Sequence, residues 1–548
     1  LHSRGWPLDM AALRYNIGSD NGPPDERLSA TVEAWNDRHI TPRLHIVSAA
    51  ALFEELEERA GDDLPTVRGD LTGYWEDGAG SSARETAIVR RTAESLSQTE
   101  ALAAMTGGSL YGREVSDAWR QVQLYYEHTW GSWNSIAEPE AEFTVRQWER
   151  KRAFADQASD RARSLRAHAL RTLAVEAGGG ERTIAVLNPT QWARSEVVVL
   201  PGPEAVGLES MQAVDGSPVA TQRLSDGGLA FETGPVPAWG ERRFVARPGS
   251  GSPAATGRTE PVLDNGLVRV EIDPDRGTIR SLTLDGGPEI VPPGEGLNEY
   301  VYVPGRDPDA AVHGSGASVR VTDRGPLVWT AEVTVQAPGT ESGLRTTVRL
   351  FARSEVLEIV NRFDKTLTYD PVAVLFRVPV LAGSGATTSV GGPWGAWEAE
   401  RDQPAGANRN YATMERWAAV HGSSAGLTVV SVDVPGIQLG SLGTDATVEG
   451  WRTRTDPSPV LYSYVMNNYW ETNYRAGQDG PHEFRYVLRP HAAFDVAETE
   501  RFASTRAWPL IVADVAGDAP ALRPMPEIDA ATSVVSLLRD PGDGAWHV

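Results

Sequence analysis

A multidomain chain of α/β, then α, then β architecture is the prediction, and three observations carry it. Short apolar runs alternate with helical spacings over the first sixty or so residues. A long helical pattern then takes over, and from about residue 182 the apolar period drops to two. At 548 residues the chain exceeds what one hydrophobic core supports, so three to five domains are expected.

Residues 1–74 read as two β/α units, the C-terminal remnant of a β/α barrel or open sheet. The first strand, 13–17, ends in the loop Gly18-Ser19-Asp20-Asn21-Gly22-Pro23-Pro24, and a helix follows with Leu28, Val32 and Trp35 at i, i+4 and i+7. A second strand, 44–47, precedes Ser48, which caps a helix carrying Leu52, Phe53 and Leu56 opposite Glu54, Glu55, Glu57 and Glu58. Strands alternating with helices imply a parallel sheet covered by helices.

Residues 75–178 read as a three-helix bundle. The stretch 84–105 lacks Pro and Gly, a second helix surrounds Val115, Trp119 and Val122, and a third spans 142–175. In the third, Trp148, Ala155, Ala162 and Ala169 recur every seven residues with Ala158 and Leu165 between them, the seam of a bundle. The run Gly178-Gly179-Gly180 ends it.

Residues 179–257 form a small β domain, with strands at 183–187 and 196–200 and around Leu229 and Phe244. The Pro/Gly/Ser/Ala-rich stretch 247–259 reads as a linker. A large β-sandwich region, 258–491, follows, with strands at 266–273, 277–282, 344–351, 356–363, 372–380 and 484–488. A C-terminal β segment, 492–548, adds a last strand or two.

Composition narrows the chemistry. A net charge of −23 argues against nucleic acid and anionic membrane as partners, since both would repel this surface. With no cysteine, any metal must be held by His, Asp, Glu or water. No apolar run reaches the length of a membrane span and no signal peptide is visible, so a cytoplasmic protein is expected. The chain opens at Leu1 without Met, which reads as a processed or truncated start.

Three stretches could carry function. Leu124-Tyr125-Tyr126-Glu127-His128-Thr129-Trp130-Gly131-Ser132-Trp133-Asn134 packs an imidazole, a carboxylate and two indoles into a break between helices. Histidine is the commonest metal ligand, and tryptophan faces suit sugar rings. Asp20 sits where a parallel strand would end, the edge at which α/β folds bind ligands; a carboxylate there can act as acid, nucleophile or ligand. Asp-Asn-Gly is also ordinary turn chemistry. Trp75 lies in a Gly-rich junction, where it can face a ligand or plug an interface. The ten histidines form no HxxxH, HxH or HExxH pattern.

The ordered set formed by the Gly18–Pro24 loop, the block from Trp75 to Glu85, Tyr126-Glu127-His128-Thr129-Trp130-Gly131 and Val186-Leu187-Asn188-Pro189 resembles glycoside hydrolase family 38, the α-mannosidases. The resemblance covers nearly the whole length and is strongest over 13–155 and 463–474. It implies a seven-stranded β/α barrel, a three-helix bundle and β-sandwiches, one of them a mutarotase-like supersandwich. It also implies retaining, zinc-dependent hydrolysis of α-mannosides. By the same resemblance Asp20 matches the acid/base, with Asn21 beside it. His128 matches the late zinc ligand, Trp75 the aromatic beneath the mannose, and Tyr300 a tyrosine sent into the site by a β domain. Retention needs two carboxyls roughly 5 Å apart.

Two departures stand out. Many members place Asp directly after the zinc histidine, where this chain has Thr129, so Glu127 is the expected partner of that histidine. No His-x-Asp pair or nucleophile strand precedes Asp20. The expectation is therefore half an active site: one zinc ligand, no nucleophile, and no activity of the chain alone. The expected partner is a mannose-containing oligosaccharide or glycoside, and a homo-oligomer is compatible with the sequence.

Two other readings compete. A non-catalytic carbohydrate-binding protein could use Trp394, Trp397, Trp417 or Trp470, although core packing is the ordinary role of such residues. An enzyme of the large β region itself would need a His/Glu pair, for which His421, His482 and Glu471 are the scattered candidates.

Overall fold

The computed structural model describes residues 6, 8–18, 22–64, 66–71, 73, 75–107, 110, 112–173, 181–249, 260–393, 395–443, 450–469, 473–523, 525, 538–539 and 546–547, with the side chains at 172, 538–539 and 546–547 excepted. The chain divides into two compact units, Leu1–Arg68 and Gly69–Val548.

In the first unit, α1 (Leu28–Arg38) and α2 (Ala49–Ala60) form where periodicity places them. The Ser48 hydroxyl accepts from the Ala51 amide at 3.2 Å and caps α2. The two expected strands do not form: residues 13–17 and 44–47 join no sheet. A strand needs a neighbouring backbone to satisfy its amides and carbonyls. At Leu44 the side chain of Asn36 substitutes for one: Asn36 Oδ1 accepts from the Leu44 amide and Nδ2 donates to its carbonyl, both at 2.9 Å. Among the described residues the expected barrel remnant is thus a pair of helices without a sheet. Burial is sparse as well. α1 buries no residue, and Leu13, Ile46 and Phe53 remain more than half exposed.

The second unit begins with the bundle: α3 (Ala83–Thr106), α4 (Gly112–Tyr126) and α5 (Glu142–Leu170). The alanine seam is real. Ala155, Ala158, Ala162 and Ala169 are buried against Val89, Leu96, Leu102 and Val122, and small side chains let the helices approach closely. The same core includes Ala185, Leu187, Ile511 and Val515, which seats the bundle on a β-sheet.

That sheet has four antiparallel strands, in the order Ile511–Val515, Thr183–Asn188, Gly240–Pro248, Leu208–Ala213. It shares a core (Ile184, Val186, Leu200, Phe231, Phe244) with a three-stranded sheet of Val197–Leu200, Leu229–Glu232 and Thr221–Arg223, making a small sandwich.

The large β region has a nine-stranded and a six-stranded antiparallel sheet. One core holds Leu350, Ile359 and Phe484 of the former together with Val374, Phe376 and Leu461 of the latter. A three-stranded sheet, Val262–Asp264, Val268–Ile272 and Ile279–Leu284, adds Leu263, Val270 and Leu282 to it. Trp417 and Trp397 are core residues, and the Trp417 indole donates to Glu500 at 2.7 Å; Trp394 and Trp470 lie outside the described residues.

The C-terminal segment, expected to add a last strand or two, also contains a helix. A helix, α6 (Val496–Ala507), precedes the strand Ile511–Val515. The Asp495 side chain accepts from the Glu498 amide at 2.7 Å, an N-cap that starts α6. Among the described residues no helix is long and apolar enough to cross a membrane.

Candidate functional site

α4 ends at Tyr126, and the loop it releases, up to the start of α5, carries Glu127, His128, Trp130 and Trp133. This loop is fastened to the 473–478 segment of the β region. The Gly131 amide donates to the Asn473 carbonyl at 2.5 Å, and the Ser135 hydroxyl donates to the Tyr474 carbonyl. Both glycines in this corner are there for space. A Cβ on Gly131 would lie 2.3 Å from the Tyr474 carbonyl oxygen, and one on Gly78 would lie 2.5 Å from the Trp130 ring.

The short 3₁₀ helix Glu76–Ser82 docks on the same segment. Tyr474 donates to Asp77 Oδ1 at 2.6 Å, the Ala83 amide donates to Gln478 Oε1 at 2.8 Å, and Gln478 Nε2 donates to the Gly80 carbonyl at 2.7 Å. Trp75, half-buried, packs against Trp130, Ala79 and Tyr474.

On this scaffold His128 stands out from the surface, its side chain 66% exposed, with Nδ1 2.6 Å from Glu127 Oε1. Nε2 is left as the ring nitrogen without a protein partner among the described residues. The other Glu127 oxygen accepts from the Thr129 hydroxyl and, at 3.2 Å, from the Thr129 amide. Trp75 lies against the imidazole, ring centroids 5.9 Å apart and planes 15° from parallel, so part of its face is covered by His128.

Lys151 of α5 completes the group. It is buried, donates to the Glu127 carbonyl at 2.7 Å and sits 3.8 Å from Glu127 Oε2. Burial pushes the Lys151 ammonium down to about 8, against the pull of Glu127. Partial burial alone would raise the Glu127 carboxyl, but the Thr129 hydrogen bonds and the nearby Lys151 charge outweigh it, leaving the carboxyl below its ordinary range. The arrangement is a carboxylate holding a proton on one imidazole nitrogen, which directs the lone pair of the other outward.

Sequence reasoning missed Lys151, Asp77 and Tyr474. A signal existed for the first: Lys151 lies three residues after Trp148 and four before Ala155, on the buried face of the seam.

Of the remaining expected site residues, Asp20 and Asn21 lie outside the described residues; at their flanks the Ile17 amide donates to the Pro23 carbonyl at 3.2 Å. Tyr300 does not join the group. It is 2% exposed, packs edge-on against Phe363 and Phe376, and donates its hydroxyl to the Pro338 carbonyl at 2.7 Å, so it has no surface to offer a sugar.

The His/Glu candidates of the β region are likewise structural. His482 is buried, stacks on Phe363 and donates from Nδ1 to the Gly480 carbonyl, while His421 stacks on Phe494 and bonds Ser389. Glu471 lies outside the described residues. Among the described residues no three His, Cys, Asp or Glu side chains come together to hold a metal. Tetrahedral zinc takes four ligands, so His128 alone does not make a zinc site.

No family model and no curated protein matches the chain. Two solved structures share its fold. An α-mannosidase from Enterococcus faecalis V583 superposes with a TM-score of 0.69 at 13% identity over 92% of this chain. A glycosyl hydrolase family 38 protein from Enterococcus faecalis does so with a TM-score of 0.61 at 14% identity over 90%. The chain spans 66% of each, just under two thirds of their length. At these identities the likeness is one of fold: bundle and stacked β-sandwiches in a common arrangement.

Proposed function

We propose that this chain is the larger part of a retaining α-mannosidase of the family 38 type, acting on mannose-containing oligosaccharides or glycosides. The observation that carries the reading is the Glu127–His128–Trp75 group: an outward-facing imidazole, its tautomer set by a carboxylate, beside an aromatic face, on a fold superposable on an α-mannosidase. Asp20 is the proposed acid/base, protonating the leaving glycosidic oxygen, and Asn21 a neighbouring hydrogen-bonding group. Trp75 is the proposed platform for the apolar face of the sugar. Glu127 holds the proton on His128 Nδ1, and His128 is proposed as one ligand of a zinc ion whose other ligands are not among the described residues.

The retaining reaction requires a second carboxyl roughly 5 Å from the first, and no described residue is matched to it. The reading therefore assigns no turnover to this chain by itself. The domain limits proposed are 1–74 (catalytic, partial), 75–178, 179–257, 258–491 (mutarotase-like) and 492–548, in a cytoplasmic protein.

Hydrolysis of an aryl α-mannoside tests the proposal, comparing this chain with a polypeptide extended upstream of Leu1. Activity only in the extended form, abolished by Asp20→Asn, is the expected result. Equal activity of the two lengths would overturn it. A second reading, binding of carbohydrate without hydrolysis, is favoured by Trp133, which is 71% exposed on the His128 loop. Mannoside binding by the extended form with no turnover would select it.

A further inference from the structure

Away from the His128 loop, the second unit encloses a cavity of about 1060 Å³, at the upper end of the range for small-molecule sites. Four parts of the fold wall it: α3, α5, the small sandwich at 192–199, and α6 with the residues after it. Its floor is the face of the nine-stranded sheet turned away from the main core, where Arg349 and Glu358 project.

Its charge is opposite to that of the molecule. Nine arginines line it against six carboxylates, in a chain whose net charge is −23. Most of those carboxylates are already engaged: Glu196 with Arg194 at 2.8 Å, Asp433 with Arg91 at 3.5 Å, Glu94 with Arg416 at 2.7 Å, and Glu498 with Arg489.

What remains is a set of guanidinium groups with capacity to spare. Arg166 is held by three neutral acceptors, the Ser95 carbonyl, Thr99 Oγ1 and Gln98 Oε1, and meets no carboxylate among the described residues. Arg349 pairs with Asp226 through Nη2 at 2.9 Å and Arg506 lies 3.9 Å from Glu196 through Nη1, but the Nε atoms of both are buried without a hydrogen bond. A buried donor left unmet costs about 1–3 kcal/mol, which a ligand oxygen would recover. Glu358 makes no hydrogen bond or ion pair among the described residues, and burial raises its carboxyl against the opposing charges of Arg506 and Arg349. Entry is available at the rim, where the Arg353 side chain is 83% exposed.

We propose that this cavity binds a compact polyanion presenting several phosphoryl or carboxylate oxygens, with Arg166, Arg349 and Arg506 as its guanidinium donors. Planar guanidinium groups match the oxygen pairs of both chemistries. Because bundle, sandwich and α6 all contribute walls, the bound anion ties them together and raises the stability of the native state.

Thermal unfolding of the full chain in sodium pyrophosphate, sodium citrate and sodium chloride, matched in ionic strength at pH 8, tests the proposal. A saturable rise in midpoint with pyrophosphate alone identifies a phosphoryl ligand, and one with citrate alone a carboxylate ligand; chloride gives none. Arg506→Gln should weaken the half-saturating concentration about tenfold, the loss of one charge-assisted hydrogen bond. Glu358→Gln, which removes a negative charge and breaks no bond, should strengthen it. The opposite signs separate a ligand site from a merely structural ion network. Equal midpoint shifts in all three salts overturn the proposal, as does a half-saturating concentration in Glu358→Gln no lower than the parent's. The latter holds even should Arg506→Gln fail to fold.

Discussion

α2 and α3 are both helices that the sequence locates, α2 by its apolar spacing and α3 by a long stretch free of Pro and Gly, yet they contribute to the molecule in different ways. α2 buries only Ala60 along its length, whereas α3 buries residues on most of its turns and adds Ala83 and Ala87 to the main β core. The first unit holds its chain by local devices: the Ser48 cap, the Asn36 clamp on Leu44 and the Trp35 indole donating to the Pro42 carbonyl at 2.9 Å. The second unit holds its chain by contacts between residues hundreds of positions apart, such as Tyr474 with Asp77. Periodicity reports which face of a helix is apolar. Whether anything covers that face is a property of the tertiary structure.

Equivalent truncations on the two sides should therefore differ most. Phe484→Ala, in the main core, is expected to cost about 3–5 kcal/mol in urea unfolding, and Phe53→Ala, 61% exposed, within about 0.5 kcal/mol. Similar losses would erase the contrast between the units.

The next effect is pH-dependent and confined to the second unit. Burial lowers His482 to about 4 from an ordinary 6.5, with the Gly480 hydrogen bond opposing and nearby cations adding to the shift. Between those values the unfolded chain binds a proton that the folded chain does not, so stability falls as pH drops from 6.5 toward 4, by up to roughly 3 kcal/mol. His482→Phe should flatten that part of the profile, and an unchanged slope would refute the assignment.

Gly131→Ala sharpens the comparison at the loop. Its Cβ would meet the Tyr474 backbone, so a loss of about 1–3 kcal/mol is expected. A methyl group tolerated there would mean that the loop is not clamped to the 473–478 segment.

Smallest is the pair of cap deletions, each worth about 1 kcal/mol of helix stability. Asp495→Ala should lower the global unfolding midpoint because α6 packs on the sheet beside it, through Ala503 on Trp417 and Ala419. Ser48→Ala should reduce helical circular dichroism of the first unit and leave that midpoint in place.

What the sequence disclosed follows the same division. The alanine seam of α5 was legible because a heptad spacing with small residues has few other uses, and Ala155, Ala162 and Ala169 are buried as that spacing requires. The strands expected at 13–17 and 44–47 were misread because alternation of apolar residues specifies a strand only when a partner exists. α6 was overlooked although Asp495 and Glu498 mark its start, since its apolar residues are too few to show a stripe.

At the site, Glu127 and His128 were recognisable as neighbours in sequence, and their contact is local. Lys151 and Tyr474 reach the loop only through the packing of α5 and the β region, which no local pattern encodes. Tyr300 was assigned to the site by resemblance, whereas its hydroxyl is bonded to the Pro338 carbonyl and its ring packs edge-on with Phe363 and Phe376 within the β core.

The measurement that bears most directly on the proposed role of His128 is the zinc content of the extended polypeptide and of its His128→Ala and Glu127→Gln variants, taken with aryl α-mannoside turnover. One zinc per chain in the parent is expected, lost together with turnover in His128→Ala, and held about 10–100-fold more weakly in Glu127→Gln. Unchanged zinc and unchanged turnover in His128→Ala would contradict the account.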